Sequence, residues 1–283
     1  MKAHVGILDK DDRSFEFNQR DFKTVQKLIY EHAGIRLSDT KQDMVYSRMI
    51  RRLRATGLSS FADYLRLIER DREEWEAFVN SLTTNLTSFF REDYHFPILA
   101  EKLKQKAGQN IRIWCSAAST GEEPYSIAMT VIEALGDEAG RVEIIATDID
   151  TSVLAKAEAG IYTEDRIERI DQKYRKYFLK GSGARAGFVR VKPEVQRLVS
   201  FRQLNLLALD WPVDGIFDVV FCRNVLIYFD KDTQRKVLER FIPLMPRDGL
   251  LFIGHSESLL HLSELFKLRG KTVYELRHSG QSA

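Results

Sequence analysis

Residues 116–128, SAASTGEEPYSIA, follow the strand-like run IRIW at 111–114, and a second such run, VEIIATDID at 142–150, closes on two aspartates. Strand, small-residue turn, helix, then a strand ending in a carboxylate is the order of a nucleotide-binding βαβ unit. The turn and the carboxylate lie about as far apart as the phosphate-side turn and ribose acceptor of a Rossmann fold. The first turn departs from the dinucleotide pattern. It holds a single glycine, Gly121, where such a site has G-x-G-x-x-G, and Ala117, Ala118 and Ser119 stand in place of the others. That composition points to a nucleoside ligand without a pyrophosphate.

Outward from this unit, strand and helix patterns alternate. Strands are predicted at 111–117, 142–149, 217–225 and 250–255, and helices at 123–136, 151–160 and 231–245. The run FDVVFCRNV at 217–225 is almost continuously apolar, as a parallel strand covered on both faces should be. The end, LFKLRGKTVYELR, reads as two strands joined around Arg269-Gly270. Alternation of this kind gives a parallel sheet with crossover helices, and an antiparallel closing pair is usual in its methyltransferase variant. Between Ile161 and Ser200 the alternation breaks. A Gly181-Ser182-Gly183 loop and the period-two run Phe188–Val191 predict a small antiparallel insert.

Upstream, 18–82 reads as four helices. Gly34 and Gly57 stop the first two, Ser38 and Asp39 start the second, and Ser60 with Asp63 forms a capping box for the third. The expected fold is therefore α/β, a Rossmann-like sheet with a small antiparallel β insert, preceded by an all-α domain. The expected divisions are a helical domain over 1–82, a linker contributing to the ligand site over 83–97, and the sheet domain over 98–283, with 161–200 as the insert.

A formal charge of +2 over 283 residues says little about partners, so any basic surface is local. Cys115 and Cys222 each sit in an apolar run and read as buried reduced thiols; no zinc spacing is present, and no metal is expected. The N-terminus lacks an apolar signal core and no apolar run approaches about 20 residues, which predicts a cytoplasmic protein. The sequon Asn85-Leu86-Thr87 is set aside for the same reason.

Asp148 stands at the carboxyl end of its strand, where it can accept both ribose hydroxyls; the competing role, capping the next helix, suits Asp150 better. Glu122 opens the helix after Gly121. It is either a dipole partner or the acceptor for a ligand's ammonium. Arg223 and Asn224 close the buried strand, as a cap or as a lining of the crevice, with Tyr228 on the loop beyond. Asn205-Leu206 follows another strand end and can pin an adenine, unless the asparagine only shapes a turn. The ligand fitting such a set is S-adenosylmethionine, which carries an adenosine and an amino-acid tail but no phosphate. The stretch TTNLTSFFRE at 83–92 is polar and then doubly aromatic, more than a plain linker needs, and a segment folded over the crevice explains it. Between Lys41 and Arg54 the cations Lys41, Arg48, Arg51, Arg52 and Arg54 face one acid, Asp43. This helix is either a solvated basic face or a dock for an acidic partner. It lacks the interleaved aromatics of a nucleic-acid binder.

TTNLTSFFRE, SAASTGEEPYSIA, ATDID, FCRNVLIYFD and GLLFIGHSE together resemble one family, the bacterial chemotaxis receptor methyltransferases (CheR), over about 21–277. The resemblance implies an S-adenosylmethionine-dependent protein-glutamate O-methyltransferase that leaves S-adenosylhomocysteine. Its implied substrate is the cytoplasmic helical bundle of chemoreceptors, reached without a membrane anchor of its own, and the enzyme is expected to be a monomer. By position it implies Asn85, Thr87, Arg91, Glu122, Asp148, Asn205, Leu206, Arg223 and Asn224 as cofactor contacts. Arg91 and Tyr228 are implied nearest the transferred methyl, and Arg48, Arg51, Arg52 and Arg54 on the receptor. The insert resembles a subdomain that in some members holds a receptor's C-terminal tail peptide. A base-methylating enzyme of the same fold is disfavoured, because the N-P-P-Y-like or D-P-P-Y-like turn is absent where this chain has CRNVLIYF. A non-catalytic cofactor sensor or adaptor is disfavoured by the presence of Arg91, Asp148 and Tyr228.

Overall fold

The structure, a computed structural model, describes residues 15–277; the N-terminal stretch read for a signal sequence lies outside them. The chain divides into two compact units, Met1–Thr83 and Thr84–Ala283.

Among its described residues the first unit holds the α-helices α1 (Gln19–Ala33), α2 (Gln42–Thr56), α3 (Phe61–Ile68) and α4 (Arg72–Leu82). Asn18 and Asp21 form a reciprocal capping box for α1, and Gly34 ends it at φ 66°. Two capping expectations change. Asp39–Lys41 form a turn of 3₁₀ helix and Ser38 makes no capping bond, its hydroxyl being engaged with Thr40 at 2.7 Å, so α2 begins only at Gln42. Ser60 does accept from the Asp63 amide, but the Asp63 carboxylate returns to the Ser60 hydroxyl rather than to its backbone. Phe22, Val25, Ile29, Val45, Met49, Leu53, Tyr64 and Phe78 are buried between the helices.

The second unit contains α5 (His95–Gln105), β1 (Ile111–Cys115), α6 (Glu122–Leu135), β2 (Val142–Asp148), α7 (Thr151–Ala159), β3 (Ile161–Thr163), α8 (Gln172–Arg175), β4 (Phe178–Lys180), β5 (Phe188–Val191), α9 (Pro193–Gln196), β6 (Val199–Gln203), β7 (Val219–Cys222), α10 (Lys231–Phe241), β8 (Leu250–Ile253), β9 (Phe266–Gly270) and β10 (Val273–Leu276). Seven strands form one sheet in the order β6-β2-β1-β7-β8-β10-β9. The first five are parallel, and β10 runs antiparallel to both β8 and β9. Side-chain alternation sends Ile113, Val219, Phe221, Leu250 and Phe252 to one apolar layer and Trp114, Val220, Cys222, Leu251 and Ile253 to the other. Both faces are therefore covered, which is why β7 and β8 are unbroken apolar runs. Full burial of a side chain of this size is worth about 1.5–3 kcal/mol.

The insert is the predicted antiparallel sheet, in the order β3-β5-β4. Helix α5 has no counterpart in the sequence reading, and its first turn falls inside the stretch read as linker.

Candidate active site

The functional residues collect at the carboxyl ends of β1, β2 and β7, where an open α/β sheet places its ligand crevice. Gly121 caps α6 at φ 95°. A Cβ there would lie 2.8 Å from both Ala157 Cβ and the Tyr162 hydroxyl, so the glycine is required by the approach of α7 and β3 rather than by a phosphate. Ser119 also holds a positive φ, 49°, and its amide donates to Asp148 Oδ2 at 2.8 Å. The Asp150 amide donates to Asp148 Oδ1 at 3.0 Å. Asp148 is only 8% exposed. Burial pushes its carboxyl up to about 6 against the opposing pull of these amides. Asp150 is the cap of α7, accepting from the Ser152 and Val153 amides, and its other oxygen accepts from Asn85 Nδ2 at 2.8 Å.

Residues 84–92 form a strap over this end of the sheet. Ser119 Oγ donates to the Asn85 carbonyl, 3.1 Å, and Arg166 Nη2 to the Thr87 carbonyl, 2.9 Å. Phe89 packs edge-on to Tyr162 and Phe178, and Phe90 stacks on Tyr174 with centroids 4.0 Å apart. The aromatic pair thus anchors the strap on the insert. Glu122, 1% exposed, is bonded by the Thr120 hydroxyl at 2.6 Å and paired with Arg166.

Arg223 is a structural hub. It is 3% exposed, donates to the Arg91 carbonyl at 2.6 Å, and pairs with Glu123 at 2.5 Å and Glu92 at 3.0 Å. Burial alone would lower its pKa, but the Glu123 and Glu92 carboxylates hold it above its ordinary value. Burial likewise raises Glu92, yet Arg223 and the His255 amide bring it below the usual carboxylate range. Asn224, at φ 57°, is gripped twice: its side chain donates to Glu92 at 3.3 Å and its amide to Glu257 at 2.8 Å. Glu257 also accepts from the Gly254 and Ile227 amides, which fixes the loop carrying Tyr228. The Tyr228 hydroxyl donates to the Thr84 carbonyl at 3.3 Å. Arg91 Nη1 donates to the Leu86 carbonyl at 2.8 Å, within its own strap.

The structure thus brings Asn85, Thr87, Arg91, Glu122, Asp148, Arg223, Asn224 and Tyr228 into one connected region. Asn205 lies two residues beyond the end of β6, past Gln203, the partner of Asp148. Its Oδ1 accepts from the Leu207 amide at 2.9 Å, a turn-shaping bond, and Leu206 is buried against the Trp211 loop. Four supporting residues were missed: Glu92, Glu123, Arg166 and Glu257. The signal for three was present, since each is an acid next to a singled-out position or inside a quoted motif.

The basic helix needs a correction. Arg52 does not stand on an open face: its guanidinium grips the buried Glu74 carboxylate through two bonds of 2.9 and 2.6 Å, and Tyr64 donates to that same carboxylate. Arg48 is half-buried and donates to the Thr83 carbonyl. Arg51 and Arg54 are the exposed arginines of this helix, and Lys41 just before it is exposed as well. Arg52→Glu, which sets two carboxylates together at a buried site, is expected to destabilise the helical unit by about 3 kcal/mol or more. Thermal melting followed by circular dichroism checks this; an unchanged melt excludes the clamp.

Two carboxylates and two side-chain amides around a small-residue turn, with no glycine-rich phosphate cradle, suit a nucleoside bearing a cationic tail. On this sheet order that defines a nucleoside-binding methyltransferase. The family model described as CheR methyltransferase, SAM binding domain, matches residues 85–275, and that described as CheR methyltransferase, all-alpha domain, matches 20–83. The chemotaxis protein methyltransferase of Escherichia coli K12 is 53% identical over 258 residues, covering 90% of each chain. That of Salmonella typhimurium LT2 is 52% identical, covering 97% of this chain and 96% of its own. Chemotaxis protein methyltransferase 2 of Pseudomonas aeruginosa is 48% identical, covering 93% and 95%. The chain belongs to the CheR methyltransferase family and is an S-adenosylmethionine-dependent methyltransferase. Among the described residues no helix is long and apolar enough to cross a membrane.

Proposed function

We propose that the protein methylates glutamate side chains on the cytoplasmic helical bundle of chemoreceptors, forming methyl esters. The observation that carries this reading is the double fastening of the strap to the β7-end loop. Arg223 holds the Arg91 carbonyl and Tyr228 holds the Thr84 carbonyl, which fixes a cation and a phenol at one mouth. When bound, S-adenosylmethionine supplies a methyl carbon already activated by its sulfonium. Asp148 then accepts the ribose hydroxyls, Glu122 the tail ammonium, and Asn85 and Thr87 steady the strap above them. Asn205 and Leu206 border the adenine.

The receptor glutamate is ionised at neutral pH and needs no general base. His95 is unsuited to that task, since burial drives it down to about 4 and it is bonded to the Lys271 carbonyl. The protein's contribution is orientation and exclusion of water. Arg91 steers the incoming carboxylate, and Tyr228 borders its path.

Base-labile label from tritiated cofactor, released as methanol after incubation with receptor membranes, is the expected result. Base-stable label, or label on DNA instead, refutes the glutamate assignment. We further assign receptor docking to the exposed side of α2. Charge reversal of Arg51 and Arg54 together is expected to raise KM for receptor about tenfold or more while leaving S-adenosylhomocysteine affinity and helical melting unchanged. Unchanged KM rejects this surface. The insert presents Ile161, Leu179 and Phe188 half-exposed, with Arg190 between its edge-strand partners Ile161 and Leu179. A receptor tail combining an aromatic with an acid fits that face.

A further inference from the structure

Arg166 belongs to none of the roles assigned so far, yet it touches two of the residues placed around the cofactor. It sits on the 3₁₀ turn Glu164–Ile167 that follows β3, within the insert. That turn is fixed by buried Ile167 and by the bond from the Glu164 amide to the Gly187 carbonyl, 3.0 Å. From there the guanidinium reaches into the sheet domain's crevice, pairing with Glu122 and donating to the Thr87 carbonyl at 2.9 Å. Its side chain keeps 36% exposure while Glu122 keeps 1%. A guanidinium has five N–H donors in a fixed fork, so these two contacts leave others for a ligand.

The chemistry of the tail selects what those donors meet. An α-amino acid carries an ammonium and a carboxylate on the same carbon. A lone buried glutamate attracts the first and repels the second. A glutamate in contact with an arginine presents the matching pair of opposite charges at the same short spacing. We propose that Arg166 and Glu122 together form the receptor for the zwitterionic end of S-adenosylmethionine, with Arg166 taking the α-carboxylate. The proposal rests on the reading that Glu122 takes the ammonium. It leaves Arg91 for the carboxylate of the receptor glutamate, and it makes the insert contribute a side chain to the cofactor pocket.

Calorimetric titration with three ligands tests it: S-adenosylhomocysteine, its decarboxylated analogue S-adenosyl-3-thiopropylamine, and 5′-methylthioadenosine, which lacks both charges. Wild-type protein should favour S-adenosylhomocysteine over the decarboxylated analogue by about 10- to 100-fold, the span of one charge-assisted contact. In Arg166→Met that preference should collapse to within about threefold, while the decarboxylated analogue and methylthioadenosine bind no more weakly than to wild type. Arg91→Met should keep the preference. A preference that survives in Arg166→Met overturns the assignment. So does tighter S-adenosylhomocysteine binding in that variant, which would make Arg166 a competitor for Glu122, and so does a parallel loss of all three ligands, which would make it a prop for the fold. Failure of wild-type protein to bind any of the three sinks the cofactor reading itself, a result distinct from binding with the preference unchanged.

Discussion

Arg223→Ala should lower the unfolding free energy of the sheet unit by about 3–5 kcal/mol, the range for removing one partner of a buried ion pair. The change strips the cation from between Glu123 and Glu92 and leaves both carboxylates in a site with little water. It also orphans the Arg91 carbonyl. The loss should shrink when the acid is removed too: Arg223→Met combined with Glu123→Gln is expected to recover a large part of it, because no uncompensated charge remains on that side. Urea unfolding in a Trp75→Phe background, read by Trp114 and Trp211 fluorescence, confines the signal to this unit. A loss below about 1 kcal/mol for Arg223→Ala would show that the guanidinium is not the keystone of the strap.

The second large effect concerns Asp148. Its carboxyl titrates near 6, above its ordinary value of 3.8. A raised carboxyl stabilises the fold fully below the ordinary value, and that contribution is lost as pH rises through about 6. At neutral pH the ionised form is therefore carried at roughly 3 kcal/mol against folding. A group kept ionised at such expense suits one awaiting hydroxyl donors. S-adenosylhomocysteine affinity should be flat from pH 7 to 8 and fall about tenfold by pH 5, as the acceptor is protonated. Asp148→Ala should weaken binding at pH 7.5 by about 100-fold, from two lost charge-assisted bonds, and should abolish the pH dependence. PH-independent affinity in wild type, or an unchanged slope in Asp148→Ala, would falsify the ribose assignment.

The order of elements and the sheet were legible because the central strands read as apolar runs and the helices carry their own stops. Asp148 and Asp150 could be told apart from sequence alone: one ends a strand and the other precedes a helix. Arg52 could not be read correctly, since nothing in the pattern of its own helix points to Glu74 on another helix 22 residues away. Helix α5 escaped because its apolar positions Phe96, Leu99 and Leu103 follow directly on the aromatic strap and blur its start. Arg166 was invisible for a similar reason. Its partners Thr87 and Glu122 come from segments far away in the chain, and no local pattern links an arginine in an insert to them.

The placing of the last strand bears on how the chain is made. β10 lies between β8 and β9, and among the described residues β9 pairs with no strand but β10. During synthesis β9 therefore emerges with nothing to bond to, and the sheet's edge can close only after residues 273–276 have left the ribosomal tunnel. A chain interrupted before residue 273 therefore keeps β9 but lacks the strand that joins it to β8, and this edge of the sheet does not assemble.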